Sequence, residues 1–206
     1  NVALRVDGVG LLTTTTSSVD GTFSYSNVTV NVGSTITIYL YGASDIEAGA
    51  YVANFVTVTD GSTNITAIPL IPNTVVIRTD NGSTALTIAD MADYDNDNNS
   101  ANLLFTANTG TPNTLSVEAG NELFIQTGES FTPGGNTTVD SGGLDLNGTW
   151  TETGTETLII QGNFDSTGGT FTKASGTVNF DAANNSVTIT GATTFYNLSM
   201  GGGMVL

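Results

Sequence analysis

Gly162-Asn163-Phe164-Asp165-Ser166-Thr167-Gly168-Gly169-Thr170-Phe171-Thr172-Lys173-Ala174-Ser175-Gly176-Thr177-Val178 is the stretch on which the reading of this chain turns. Three times in it a glycine is followed by a polar residue and then a large apolar one, seven residues apart. Gly148-Thr149-Trp150 stands two such steps earlier. Fixed-period self-similarity marks architectures whose units cannot bury an apolar face alone and stack on a neighbour instead. A period of seven implies three sides per turn and a coil of about 21 residues. Trp150 and Phe171 differ by 21, Leu144 and Phe164 by 20, and Leu158, Val178 and Leu198 by 20 each. Large apolar residues thus fall above one another in three columns, as the interior of a parallel β-helix requires. The right-handed form is expected, because left-handed hexapeptide helices repeat at about 18. Its strands are expected at Leu115–Val117, Glu122–Gln126, Thr137–Val139, Leu144–Leu146, Thr157–Gln161, Thr170–Thr172, Thr177–Phe180, Val187–Thr190 and Phe195–Met200.

Upstream the pattern changes. From Asn1 to about Ile68 apolar residues alternate in longer runs: Val2, Leu4 and Val6, then Phe23 and Tyr25, then Ile36, Ile38 and Leu40, then Tyr51 to Val58. Asp20-Gly21, Gly33 and Asp60-Gly61 punctuate them. Period-two patterns broken by such turns predict an antiparallel sandwich. Residues 69–113 form a junction, in which Thr87-Ile88-Ala89-Asp90 reads as a capping box opening the only helix, over Leu86–Tyr94. A helix there would cap the open end of the repeat stack. The expected fold is therefore all-β: an Ig-like or transthyretin-like β-sandwich (1–68), a junction (69–113), and a right-handed parallel β-helix (114–206) with a short capping helix.

Two resemblances sharpen this. Asp20-Gly21-Thr22-Phe23, Gly33 and the Ile36–Leu40 strand resemble a carboxypeptidase-regulatory-like module, which implies a spacer in a large surface protein. The phrases Gly162-Asn163-Phe164, Gly169-Thr170-Phe171-Thr172, Gly176-Thr177-Val178-Asn179-Phe180 and Thr193-Thr194-Phe195-Tyr196-Asn197-Leu198-Ser199 resemble the β-strand-repeat regions of giant prokaryotic surface proteins, similar to filamentous-haemagglutinin-like adhesins. That resemblance implies an extracellular or cell-surface structural and adhesive role and brings no catalytic residues.

Composition narrows the partners. Lys plus Arg number three (Arg5, Arg78, Lys173) against nineteen Asp plus Glu, a net charge of -16. Nucleic acid and anionic lipid need clustered cations, so both are excluded as partners. No apolar run approaches the roughly 20 residues of a membrane span. With no Cys there is no disulfide framework. Asn1 at the start and Gly201-Gly202-Gly203 leading into Met204-Val205-Leu206 suggest a piece of a longer secreted polypeptide.

The strongest chemical candidate is Asp93, Asp95, Asp97 and Asn99, whose alternating oxygens suit calcium, a cation that takes about six to eight of them. The loop departs from an EF-hand at Asn98, where Gly belongs, and at Leu104, where Glu belongs. Catalysis has little support: there is no His and no Cys. A glycosidase needs only carboxylates, and Asp140, Asp145, Asp165 and Asp181 lie in the repeat region, but in turn-like settings. Trp150, Tyr94, Tyr196, Phe131 and Phe195 are a conceivable sugar platform, although the columns place Trp150 in the core. Asn163, Asn179 and Asn197 suit left-handed corners. Asn-X-Ser/Thr sequons for glycosylation begin at Asn27, Asn64, Asn81, Asn98, Asn136, Asn147, Asn184 and Asn197.

The leading expectation is a non-enzymatic structural module of an extracellular adhesin or fibre, whose partners are neighbouring repeats, other copies of itself and cell-surface glycans. The alternative is a self-assembling filament subunit, joined by addition of the terminal segments Val2, Leu4 and Val6 or Met204, Val205 and Leu206 to a neighbour's sheet, or by end-to-end stacking. A carbohydrate-binding or glycoside-cleaving β-helix ranks third.

Overall fold

A computed structural model describes residues 1–14, 16, 20–40, 52–80, 84–95 and 103–181, and then 187–201, with Asp95 by its backbone alone. The N-terminal strands are β1 (Val2–Val6), β2 (Val9–Thr14), β3 (Thr35–Leu40), β4 (Asn54–Val58) and β5 (Thr74–Thr79). Helix α1 (Ile88–Asp95) and β6 (Phe105–Asn108) follow. The chain then coils through β7 (Asn113–Val117), β8 (Glu122–Ile125) and β9 (Ser130–Phe131), and again through β10 (Gly135–Val139), β11 (Leu144–Leu146) and β12 (Thr149–Thr151). A third coil is β13 (Thr157–Ile160), β14 (Phe164–Asp165) and β15 (Thr170–Thr172). The last strands are β16 (Thr177–Phe180), β17 (Ile189–Thr190) and β18 (Asn197–Met200). The fold is nearly all-β, a parallel β-solenoid of about six turns.

Three sheets make its walls: nine strands in the order β17-β14-β11-β8-β5-β4-β3-β1-β2, six in the order β18-β16-β13-β10-β7-β6, and three in the order β15-β12-β9. Strands alternate buried and half-exposed residues because one face points into the coil. The columns read from the sequence are in register: Trp150 beside Phe171, Leu144 beside Phe164, and Leu158 beside Val178, which is beside Leu198. Trp150 lies edge-on to Phe131 at 5.1 Å and stacked on Phe171 at 6.2 Å. Burying side chains of this size contributes about 1.5–3 kcal/mol each. Thr137 interrupts the Leu115–Leu158 column, and its buried hydroxyl finds no partner.

The recurrent glycine has a steric reason. A Cβ on Gly162 would collide with Ser141 and Gly143 backbone of the preceding turn, and one on Gly169 with the Leu146 and Gly148 carbonyls. These are corners where successive turns of backbone pack against each other, so only glycine fits. The seven-residue token marks those corners.

The separate N-terminal sandwich expected from the sequence is not what the described residues form. β1–β5 belong to the nine-stranded solenoid sheet: β4 runs parallel to β5, β5 parallel to β8, and β1, β2 and β3 are antiparallel neighbours. One core cluster runs from Ala3, Tyr39 and Val56 through to Phe180. The opposite face of the sheet, with Val2, Leu4, Ile36, Ile38, Phe55 and Val76, is covered by two extended segments, one carrying Phe23, Tyr25, Val28 and Val30 and the other Ile65, Ile68 and Leu70. The first carries two alternating pairs, Phe23/Tyr25 and Val28/Val30, yet neither segment joins a sheet. Alternation reports a half-buried extended backbone, not the ladder it belongs to.

Arg78 fastens this outer layer. Its guanidinium donates to the Thr66 and Ala67 carbonyls, both at 3.1 Å, pairs with Asp80, and lies 5.3 Å from the centre of the Phe55 ring. Asp80 also accepts from the Thr57 hydroxyl at 2.7 Å. Helix α1 closes the N-terminal end of the coil with Ile88, Met91 and Ala92, all fully buried. It begins later than Leu86 because Leu86 bridges to Phe131 as a strand residue. The capping box is reciprocal: Thr87 N–H donates to Asp90 Oδ2 at 2.8 Å and Asp90 N–H to Thr87 Oγ1 at 3.2 Å.

Candidate functional site

The acidic segment is described only in part. Asp93 projects from the exposed side of α1. Burial pushes its carboxyl above the usual range, and the charges of Asp7 and Asp90 push it the same way. The Asp95 side chain and the whole of Asp97 and Asn99 lie outside the described residues, as do Met204, Val205 and Leu206. Among the described residues no group of three or more carboxylates is placed to hold a metal ion.

The four aspartates of the repeat region separate into two sets. Asp140 and Asp181 occupy equivalent corners, after Val139 and Phe180 of the same column. Asp140 accepts the Ser141 N–H at 2.6 Å. Asp145 and Asp165, by contrast, pair in register on the outside of the nine-stranded sheet, across β11 and β14. They share a groove of about 310 Å³ with Glu122, Asn163, Thr188 and Thr190. Burial raises the Glu122 carboxyl, and Asp145 adds to the shift. Burial also raises Asp145, with Asp165 adding to it. Asp165 is held low by the Thr167 hydroxyl and N–H, at 2.6 and 2.8 Å. The Asp165 carboxyl is thus shifted down beside two that are shifted up. Among the described residues no aromatic ring lines the groove to receive a sugar face.

No protein family, no curated protein and no solved structure matches the chain.

The aromatic residues do not assemble a platform. Trp150 and Phe131 are core, and Tyr94 is buried edge-on against Tyr39 at 5.5 Å. Phe195 is half-buried among Phe164, Phe171 and Phe180, which leaves Tyr196 exposed by itself. Of the asparagines expected at left-handed corners, Asn179 lies within β16 and Asn197 opens β18, so both are strand residues. Asn163 does stand at a corner, where its carbonyl accepts the Leu144 N–H at 2.8 Å. Its backbone is not among the left-handed positions.

The N-terminal strand expected to add to a neighbour is already occupied. β1 lies between β2 and β3 with a ladder on each side, so Val2 and Leu4 are buried and Val6 is half-buried. Among the described residues the last strand at this end of the sheet is β2. Sequence reasoning passed over two further residues. Glu122 stands one place before the Leu123–Leu144–Phe164 column, in register with Thr74 on one side, which the 20-residue spacing alone does not pick out. Glu152 is a buried carboxylate, raised by that burial, whose Oε2 accepts the Ala174 N–H at 3.0 Å.

Proposed function

We propose that this chain is a non-enzymatic structural module of an extracellular adhesin or surface fibre of a prokaryote, part of a longer secreted polypeptide that coils in the right-handed sense. The observation that carries the reading is the stack of apolar columns, which builds one continuous core from repeated turns. The outward rank over β7, β10, β13, β16 and β18 is Thr114, Asn136, Thr157, Thr177 and Asn197, an uncharged hydroxyl and amide surface. Such a face suits contact with neighbouring repeats, other copies and cell-surface glycans. Sequons at Asn27, Asn64 and Asn197 are exposed, as glycan attachment requires. Calcium on Asp93, Asp95, Asp97 and Asn99 would tie the segment after α1 to the cap. Its test is a melting temperature that falls on chelation and recovers with calcium.

The main test uses antibodies against the folded chain on intact cells of the source organism. Labelling without permeabilisation is expected, and labelling only after permeabilisation would sink the reading. A reducing-sugar assay over a polysaccharide panel is expected to stay flat. Turnover that disappears in Asp145→Asn would instead make the carboxylate groove an active site.

A second reading, a filament subunit stacked end to end, draws on the last turn. Ile189, Tyr196 and Leu198 are all exposed there, at 39%, 60% and 52%. Regular fibres of the purified chain in the electron microscope would favour it.

A further inference from the structure

One carboxylate of the coil is tucked between turns rather than displayed on a wall. Glu152, at the corner between β12 and β13, is only 6% exposed. Its N–H donates to the Thr172 carbonyl of the following turn at 2.9 Å. Its side chain reaches the same turn, where Oε2 accepts the Ala174 N–H at 3.0 Å and the Gly176 N–H also lies against the carboxyl. Oε1 is sealed from solvent and closes no hydrogen bond. The carboxyl takes up the space at Gly176, where a Cβ would stand 2.8 Å from Oε1 and 3.0 Å from Cδ.

Among the described residues no cation answers this charge. Lys173 stands beside the corner but is exposed and makes no ion pair, while Arg5 lies over the Tyr94 ring and Arg78 is committed to Asp80. On its own corner Glu152 faces Glu156, whose carboxylate accepts from the Thr153 hydroxyl, from the Thr153 N–H at 2.9 Å and from the Gly154 N–H at 2.6 Å. On the preceding turn residues 130–135 carry no titratable side chain, and on the following one residues 170–178 carry only Lys173. An ionised carboxylate held dry and unpaired is costly, whereas the neutral acid of the same shape is much less so. Burial accordingly raises the Glu152 carboxyl, the Ala174 N–H opposes the shift, and the Glu156 charge adds to it.

We propose that Glu152 is a proton-operated latch between the second and third coils. Protonated, it lies closed beneath the corner at residues 173–176; on releasing its proton to solvent it draws water in and lets that corner lift. The folded corner binds the proton more tightly than the unfolded chain does. The latch therefore holds below the ordinary glutamate range and weakens as pH rises through the raised value. A lifted corner gives up two neighbouring backbone bonds, Ser175 N–H to the Gly154 carbonyl at 2.8 Å and Thr177 N–H to the Glu156 carbonyl at 2.9 Å. The device is independent of what the outer surface binds.

Lys173 is the only lysine of the 206 residues, so a lysine-specific endoproteinase cuts the whole chain at this corner alone and its rate reports the opening. Wild type and Glu152→Gln, a mimic of the protonated group, are digested side by side from about pH 6 to 9, a range into which burial moves carboxyls. Wild type is expected to be cut several-fold faster than Glu152→Gln at the alkaline end, and the two rates to converge toward the acid end. The ratio cancels the proteinase's own pH dependence. A ratio that does not change with pH overturns the proposal, as does a variant cut faster than wild type at the alkaline end. So does an Asp145→Asn variant, altered in the nine-stranded sheet, that slows the cut as much as Glu152→Gln, since the opening would then be global. Should Glu152→Gln fail to fold by circular dichroism, the carboxyl carbon resonance of Glu152 in the wild-type chain decides. Titration above the ordinary glutamate range, in step with the rise in cutting, sustains the latch, and titration within that range sinks it.

Discussion

Leu158 and Leu198 occupy the same inward column, forty residues and two turns apart, yet Leu158 is 1% exposed and Leu198 52%. The difference lies in what each end of the coil has beyond it. At the N-terminal end the column runs on through Leu115 to Ala107 of β6, against which α1 packs. At the other end β18 and β17 are the last strands of their sheets among the described residues. Register decides which way a side chain points, and only a neighbouring layer decides whether it is dry. A solenoid turn is thus stable to the degree that something sits on both of its faces, as one-dimensional repeat stacks require.

Substitutions at the two ends test that contrast. The largest effect is expected from Arg78→Ala, which strands the buried Asp80 carboxylate without its cation and releases the Thr66–Ala67 segment; about 3–5 kcal/mol should be lost in urea denaturation. Met91→Ala in the cap should cost about 2–5 kcal/mol, whereas Leu198→Ala should stay within about 0.5 kcal/mol. Equal costs for those two would abolish the distinction between the ends. Thr87→Ala, which removes half of the capping box, should lower stability by about 1 kcal/mol, seen as a lower thermal midpoint.

The smallest effect is expected in the wall between the ends. Glu122 and Asp145 bind protons more tightly when folded than when unfolded. Their contribution is therefore most favourable below the ordinary carboxylate range and declines as pH rises through the raised values. Asp145→Asn should stabilise the protein at pH 7 by no more than about 1 kcal/mol, given solvent screening, and the gain should vanish at low pH. A gain that persists in acid would assign the effect to packing.

The solenoid was legible because its constraint is arithmetic. In-register stacking forces large residues to recur at the turn length, and Leu144–Leu146, Thr170–Thr172 and Thr177–Phe180 form strands with those ends. Ser130–Phe131 escaped notice because a two-residue strand between Gly128 and Pro133 carries no periodicity of its own. The N-terminal region was misjudged for a different reason. Phe23, Tyr25, Val28 and Val30 alternate as a strand would, and nothing local says that they cover a sheet without joining one. For the carboxylates, the 20-residue interval brings Asp145 and Asp165 together, while Glu122 enters the same groove from a neighbouring register position that spacing does not reveal. The remainder of the expected metal loop falls beyond the described residues.

The nine-stranded sheet has a mechanical consequence. Its inter-strand hydrogen bonds run along the axis of the coil, so tension applied end to end loads successive turns in series. Each turn rises only about 4.8 Å along that axis, but its roughly 20 residues span nearly 70 Å when drawn straight. Pulled axially, such a coil yields turn by turn and lengthens more than tenfold per turn released. Pushed from the side, it meets many strands at once. A coil built this way is stiff against bending and absorbs a sudden tug by unwinding.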